Sequence, residues 1–258
     1  MHVVLSHCQV RLWPSLTFIN KNMTKIFIQT RDYQFIHPKF FFFRPGTPKT
    51  SFKTYSNEEL NFFKFVSIVL NEFPEALRQI FVDKWNKRFA SLHGSQVWDD
   101  STGVRILLFN SKDPKCKIPI YEPFKDWDCT ALFQAILHAQ TFALPDPVTS
   151  NTKKTLYELF MRNRVPVPAG SFNSSVASPS GDKNETIALV TDQLRRLRNS
   201  IFHSPSLLLD KVKFDDYVKY AKEAFTAVNL STKSLETIGN LVPLPNRKNQ
   251  GTERKTSK

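Results

Sequence analysis

Arg198, Asn199 and His203 are the residues of this 258-residue chain whose types and spacing can do chemistry. An arginine fork matches the free oxygens of a phosphodiester. An amide can orient a neighbouring group, and an imidazole can move a proton at neutral pH. Gathered in Arg198-Asn199-Ser200-Ile201-Phe202-His203, the three can bind or cleave an RNA phosphodiester. The motif is short, so its meaning depends on where its helix points it.

From Glu185 to His203, Ile187, Val190, Leu194, Leu197 and Ile201 recur at steps of three and four, which predicts an amphipathic helix with its stripe against a core. At about 100° per residue, Asn199 and His203 share one meridian opposite the centre of that stripe, together with Asp192 and Arg196. Arg198 flanks the stripe. Pro205 disfavours helical geometry at Ser204, which puts His203 in the last turn, where the helix dipole favours positive charge by a few tenths to ~1 kcal/mol. Asn199 and His203, four residues apart, can act side by side. Two readings stand: a functional polar face, or a capping histidine beside solvated surface arginines. Under the first, Arg195, Arg196 and Arg198 are the candidate RNA-binding residues.

The net charge of +13 points to nucleic acid only if it is well placed. Residues 1–56 hold eight Lys/Arg against one Asp, and residues 231–258 hold six against two Glu, whereas 57–230 carry 22 against 20. Most of the positive charge therefore sits at the ends, where it gives salt-sensitive, nonspecific attraction. Cys8, Cys116 and Cys129 are too few and too scattered for a disulfide framework or a zinc site, so a reducing compartment is expected and no metal or cofactor is implied. No apolar run reaches the ~18 residues of a membrane helix, and the first twenty residues lack a secretory signal pattern. A cytoplasmic protein without a membrane partner is the resulting expectation.

The elements that must position the motif are read from the same periodicities. Residues 1–56, with Phe40-Phe41-Phe42-Phe43 between prolines, form an irregular basic extension. Ser56 and Glu59 make a capping-box pattern ahead of Leu60, Phe63, Val66, Val69 and Leu70. Pro74 is expected to break that helix and open a second, about 74–90, carrying Leu77, Ile80, Phe81, Trp85 and Phe89. An irregular, proline-containing region follows to about 125, with Val104 to Asn110 as one more ordered piece. Asp128 can cap a buried helix that is apolar nearly all round, on which His138 reads as structural. A short helix over about 151–163, a mobile Pro/Ser/Gly loop over 165–182, the motif helix and a last helix over about 213–228 complete the domain. Residues 231–258 turn polar and basic and are expected to be a disordered tail. The expected fold is all-α: an up-and-down bundle of about five helices over 57–230.

A penultimate bundle helix ending in Arg198-Asn199 and His203, followed by a short connection and one more amphipathic helix, resembles the HEPN superfamily. More narrowly, Asn57 to Phe89, Trp127-Asp128-Cys129-Thr130-Ala131-Leu132 and Leu197 to Val228 resemble the HEPN domain found in the DAZ-interacting E3 ubiquitin ligase and its animal relatives. The resemblance implies one of two roles. In the first, a metal-independent endoribonuclease, two copies meet in a homodimer through the Arg198–His203 face. Arg198 then holds the scissile phosphate of single-stranded RNA, Asn199 orients it, and His203 transfers the proton. In the second, the domain is a non-enzymatic RNA-binding or self-associating module in immune or ubiquitin signalling, with signalling proteins as partners. The chain has no RING cysteine-histidine array and no GxxxxGK[ST] phosphate loop, which is where it departs from the multidomain members.

Overall fold

A computed structural model describes residues 55–241, apart from 90–96, 112–117, 120, 150, 163, 165–166 and 169, and without the side chains of 109–111. The phenylalanine run at 40–43, Cys8, Cys116 and the tail from 242 lie outside the described residues. The described chain is predominantly helical: α1 Asn57–Ser67, α2 Phe73–Phe89, α3 Thr102–Ser111, α4 Cys129–His138, α5 Leu156–Phe160, α6 Lys183–Phe202, α7 Lys211–Ala227 and α8 Lys233–Gly239. None of these is long and apolar enough to cross a membrane.

The cap signals at Ser56, Glu59 and Asp128 act as expected, and Asp182 adds a cap not assigned from the sequence. Ser56 and Glu59 close a reciprocal capping box on α1, Asp128 accepts from the Ala131 N–H at the start of α4, and Asp182 accepts from Asn184 and Glu185 at the start of α6. Each satisfies backbone donors that the first helical turn leaves without partners. Tyr55, just before the cap, packs its ring edge-on against Phe63.

Pro74 does not break the first helix. Helical backbone continues from α1 through a π-helical segment, Ile68–Glu72, directly into α2. Proline lacks an N–H and crowds the preceding turn, and the chain answers by widening, so that the Phe73 N–H reaches back to the Ile68 carbonyl. α1 and α2 thus run end to end instead of forming an antiparallel pair. α1 packs on α7, α2 on α4, and α6 is packed by both α4 and α7.

Phe81 on α2 is the hub of the core. Its ring lies 4.7 Å from Trp98, 5.1 Å from Phe124 and 5.4 Å from Phe142, with Trp85 and Trp127 at 6.2 Å. Most of these pairs meet edge to face, the arrangement the ring quadrupole favours. α4 is buried along nearly its whole surface, as its composition predicts. His138 sets its ring 4.6 Å from that of Tyr157, in keeping with a structural part.

Three further departures from the expected bundle have local causes. The helix expected over 151–163 shrinks to α5, because Lys153–Lys154 pair with Leu144–Pro145 as a two-stranded antiparallel ladder, so the fold is not purely α. That turn is held by Asp146, which accepts from Val148, Thr149 and Lys154. Residues 231–241 are not a tail: α8 buries Leu235 and packs on α7 and the π segment, with Glu236 bridged to Lys222. Finally, the described part of the 165–182 loop is anchored, with Asn173 and Val176 buried.

Candidate functional site

α6 is the element that carries the motif, and its two halves differ. From Ala188 to Leu194 every side chain is buried, whereas Asn199 and Ser200 are half-buried and His203 is exposed. His203 is the C-cap residue, its N–H donating to the Asn199 carbonyl, and Ser204 already departs from helical continuation as Pro205 requires.

The phase argument placed Asp192 on an open polar face, and the structure corrects this. Asp192 is 2% exposed, because the 170–177 loop covers that side of the helix. Asn173 donates its amide to one Asp192 carboxylate oxygen and its backbone N–H to Gln193 Oε1. Arg195 grips Asp192 Oδ1 through Nε and Nη2, at 3.1 and 2.6 Å, and Arg196 reaches Oδ2 through Nε at 2.6 Å. Burial pushes the Asp192 carboxyl up, but the hydrogen bonds and charges of Arg196 and Arg195 outweigh it and hold the carboxyl below its usual value. One buried charge thus fixes two arginines and leaves a net positive charge at the surface.

Beside this network lies an open cleft of about 570 Å³, lined by Arg195, Arg196, Asn199, Ser200, His203, Ser204, Pro205 and Tyr217, with Gly170 and Ser171 on the facing loop. Four of the five predicted site residues meet here: Arg195, Arg196, Asn199 and His203. Arg198 does not line it. Its guanidinium lies 4.9 Å from the centre of the Phe202 ring and donates to Asn199 Oδ1 at 3.1 Å. Arg198 therefore reaches the cleft only through Asn199.

Among the described residues, the side chains lining the cleft that can carry positive charge are Arg195, Arg196 and His203, and no carboxylate lines it. Arg195 retains its Nη1 donors and Arg196 its Nη2 donors beyond the bonds to Asp192 and the Val167 carbonyl. With the hydroxyls of Ser171 and Tyr217, this arrangement can take up an anion with several acceptor oxygens; the Ser200 hydroxyl is engaged with the Arg196 carbonyl.

The sequence reading missed Tyr217 and the facing loop. Tyr217 sits on the packed face of α7, its ring 5.2 Å from Phe65 and 5.3 Å from Phe172. A tyrosine on a buried stripe carries a hydroxyl that must reach a polar boundary, which was the available signal. Gly170, at φ 78°, adopts a backbone conformation that glycine allows at no steric cost.

Among the groups outside the cleft whose titration is shifted are Cys129 and Lys84. Burial pushes the Cys129 thiol up to about 12, with its sulfur facing the Val69 carbonyl, so it is a core side chain and not a nucleophile. Burial also pulls Lys84 down to about 8, although it bonds Asn184 at 2.7 Å beside the start of α6. Among the described residues no group of three or more His, Cys, Asp or Glu is placed to hold a metal ion. No protein-family model matches the chain, and neither a curated protein nor a solved structure matches it.

Proposed function

We propose that this chain is a HEPN-type domain that binds single-stranded RNA by its phosphates in the α6 cleft. The observation that carries the reading is the cleft lining, which combines Arg195, Arg196, Asn199 and His203 with no carboxylate among the described residues. Arg195 and Arg196 are the phosphate-binding pair, prepositioned by Asp192 so that less side-chain freedom is lost on binding. Binding of this kind is salt-dependent, because each neutralised phosphate releases counterions.

Cleavage is the stronger form of the same reading. The ribose 2′-oxygen attacks phosphorus as the bond to the 5′-oxygen breaks, and His203 takes the proton from the 2′-hydroxyl and passes it to the leaving 5′-oxygen. Asn199 orients the phosphate. Arg198 can stabilise the developing charge only by leaving Phe202 and Asn199, or by acting in the cleft of a second copy. The purified chain is to be mixed with single-stranded RNA in EDTA. Binding that weakens in Arg195→Gln/Arg196→Gln supports the module, and cleavage that falls ~10²- to 10⁴-fold in His203→Ala supports the enzyme. Absence of both binding and cleavage at high protein concentration overturns the proposal.

A second reading, a non-enzymatic self-associating module, is favoured by a different observation. Just beyond the motif, Leu207, Leu208 and Val212 are 39%, 55% and 71% exposed, an apolar strip of the kind that marks interaction sites. This reading expects a dimer without nuclease activity. A strictly monomeric protein in sedimentation at micromolar concentration counts against it.

A further inference from the structure

Among the described residues two serines precede proline, Ser178 and Ser204. Their hydroxyls stand in opposite surroundings. Ser178 Oγ is half-buried and engaged on all sides: it accepts from the backbone N–H groups of Ser180 and Asp182, meets Ser180 Oγ, and bonds the Glu185 carboxylate. A phosphate there would be driven against Glu185 and against Asp182, whose carboxylate caps α6.

Ser204 is the reverse case. Its hydroxyl donates to the Ser206 carbonyl at 2.8 Å and accepts from the Ser206 N–H at 3.4 Å, bonds that reach no further than its own turn. Ser204 is itself half-buried, and Pro205 through Leu208 after it are exposed in a bent connection that another protein's active site can approach. Ser204 also lines the same cleft as Arg195, Arg196 and His203.

We propose that Ser204 is a phosphorylation site for a proline-directed kinase, and that its phosphate occupies the arginine cleft as an internal anion. The phosphoryl group comes from ATP. The bond from Ser204 Oγ to phosphorus forms as the bond to the bridging oxygen breaks, ADP leaves with that electron pair, and the hydroxyl proton passes to the kinase's base. The product carries about −1.5 to −2 charge and three acceptor oxygens, which the spare Nη donors of Arg195 and Arg196 can bind. Occupancy follows from the cleft alone; the exclusion of RNA by that phosphate rests on the RNA-binding reading above.

The full chain is to be incubated with ATP and a proline-directed kinase, mapped by mass spectrometry, and titrated by phosphorus NMR. Expected is modification at Ser204 and not at Ser178. The phosphoserine should ionise below its free value of ~6, because neighbouring guanidinium groups favour the dianion, and Arg195→Gln should move it back. RNA affinity should fall at least ~10-fold, as the loss of several phosphate contacts implies. Modification of Ser178 in preference to Ser204, or a phosphoserine that ionises as in a free peptide and ignores Arg195→Gln, overturns the proposal. RNA that binds both forms equally overturns the exclusion. RNA that binds neither form overturns the functional reading, while the phosphorus titration still decides occupancy.

Discussion

The aromatic cluster around Phe81 and the polar network around Asp192 are both buried, yet they are held by different physics. The cluster is apolar, spread over α2 and the segments around Trp98, Phe124, Trp127 and Phe142, and rests on area and ring geometry. The network rests on one carboxylate shared by Arg195, Arg196 and Asn173. The first is indifferent to pH and tolerant of direction. The second depends on a charge state and fixes where two arginines stand. Stability is concentrated in one region, and the geometry of the cleft is set by the other.

The largest expected effect is in the cluster. Trp85→Ala, at a fully buried position, should cost about 3–5 kcal/mol in urea unfolding at any pH between 4 and 8. A cost that varied with pH over that range would erase the contrast.

Asp192→Ala should cost about 3 kcal/mol at pH 7, because it leaves the Arg196 guanidinium and the Asn173 amide without their buried acceptor. Here pH matters, and the sign is fixed. The folded carboxyl ionises below its unfolded value, so its contribution is complete above about pH 4 and is lost as pH falls through the folded value. Unfolding curves of wild type and variant should converge on acidification. Parallel curves down to pH 2 would show that the carboxylate is not what holds the network.

Lys84 should give a smaller effect in the same direction, at alkaline pH. Its folded value, about 8, lies below the ordinary 10.5, so the folded state sheds this proton first and gains stability as pH rises from 8 to 10. A gain of about 1–2 kcal/mol is expected, and Lys84→Met should lack it. The smallest stability change belongs to His203→Ala, within about 0.5 kcal/mol at an exposed helix end. If RNA binding or cleavage nevertheless collapses in that variant, the separation of stability from function is confirmed at its sharpest point.

Local signals were legible in the sequence where one residue decides a local outcome. Ser56, Glu59, Asp128 and Pro205 each act through bonds or clashes within four residues, and the helices they bound are where the pattern puts them. The 3.6-residue period located α6 and its stripe. It failed at Asp192, because helical phase says which residues share a face and nothing about which distant loop will cover that face. The same limit hid Tyr217 from the cleft and α8 from the domain, since Leu235 finds its burial only in tertiary packing. The meeting of Arg195, Arg196, Asn199 and His203 was foreshadowed by their shared turn, whereas the capture of Arg198 by Phe202 was not.

The widened turn at Ile68–Glu72 has a consequence for how this chain can change over time. A π turn holds one residue more than the α-helical path it replaces, and each residue rotates a helix by about 100°. The segment therefore works as a phase gear between α1, meshed with α7, and α2, meshed with α4. Deleting one residue there would leave both helices helical and swing Leu77, Phe81 and Trp85 away from their partners. An insertion or deletion in that one turn thus acts through the alignment of faces, at side chains several turns away from the change itself.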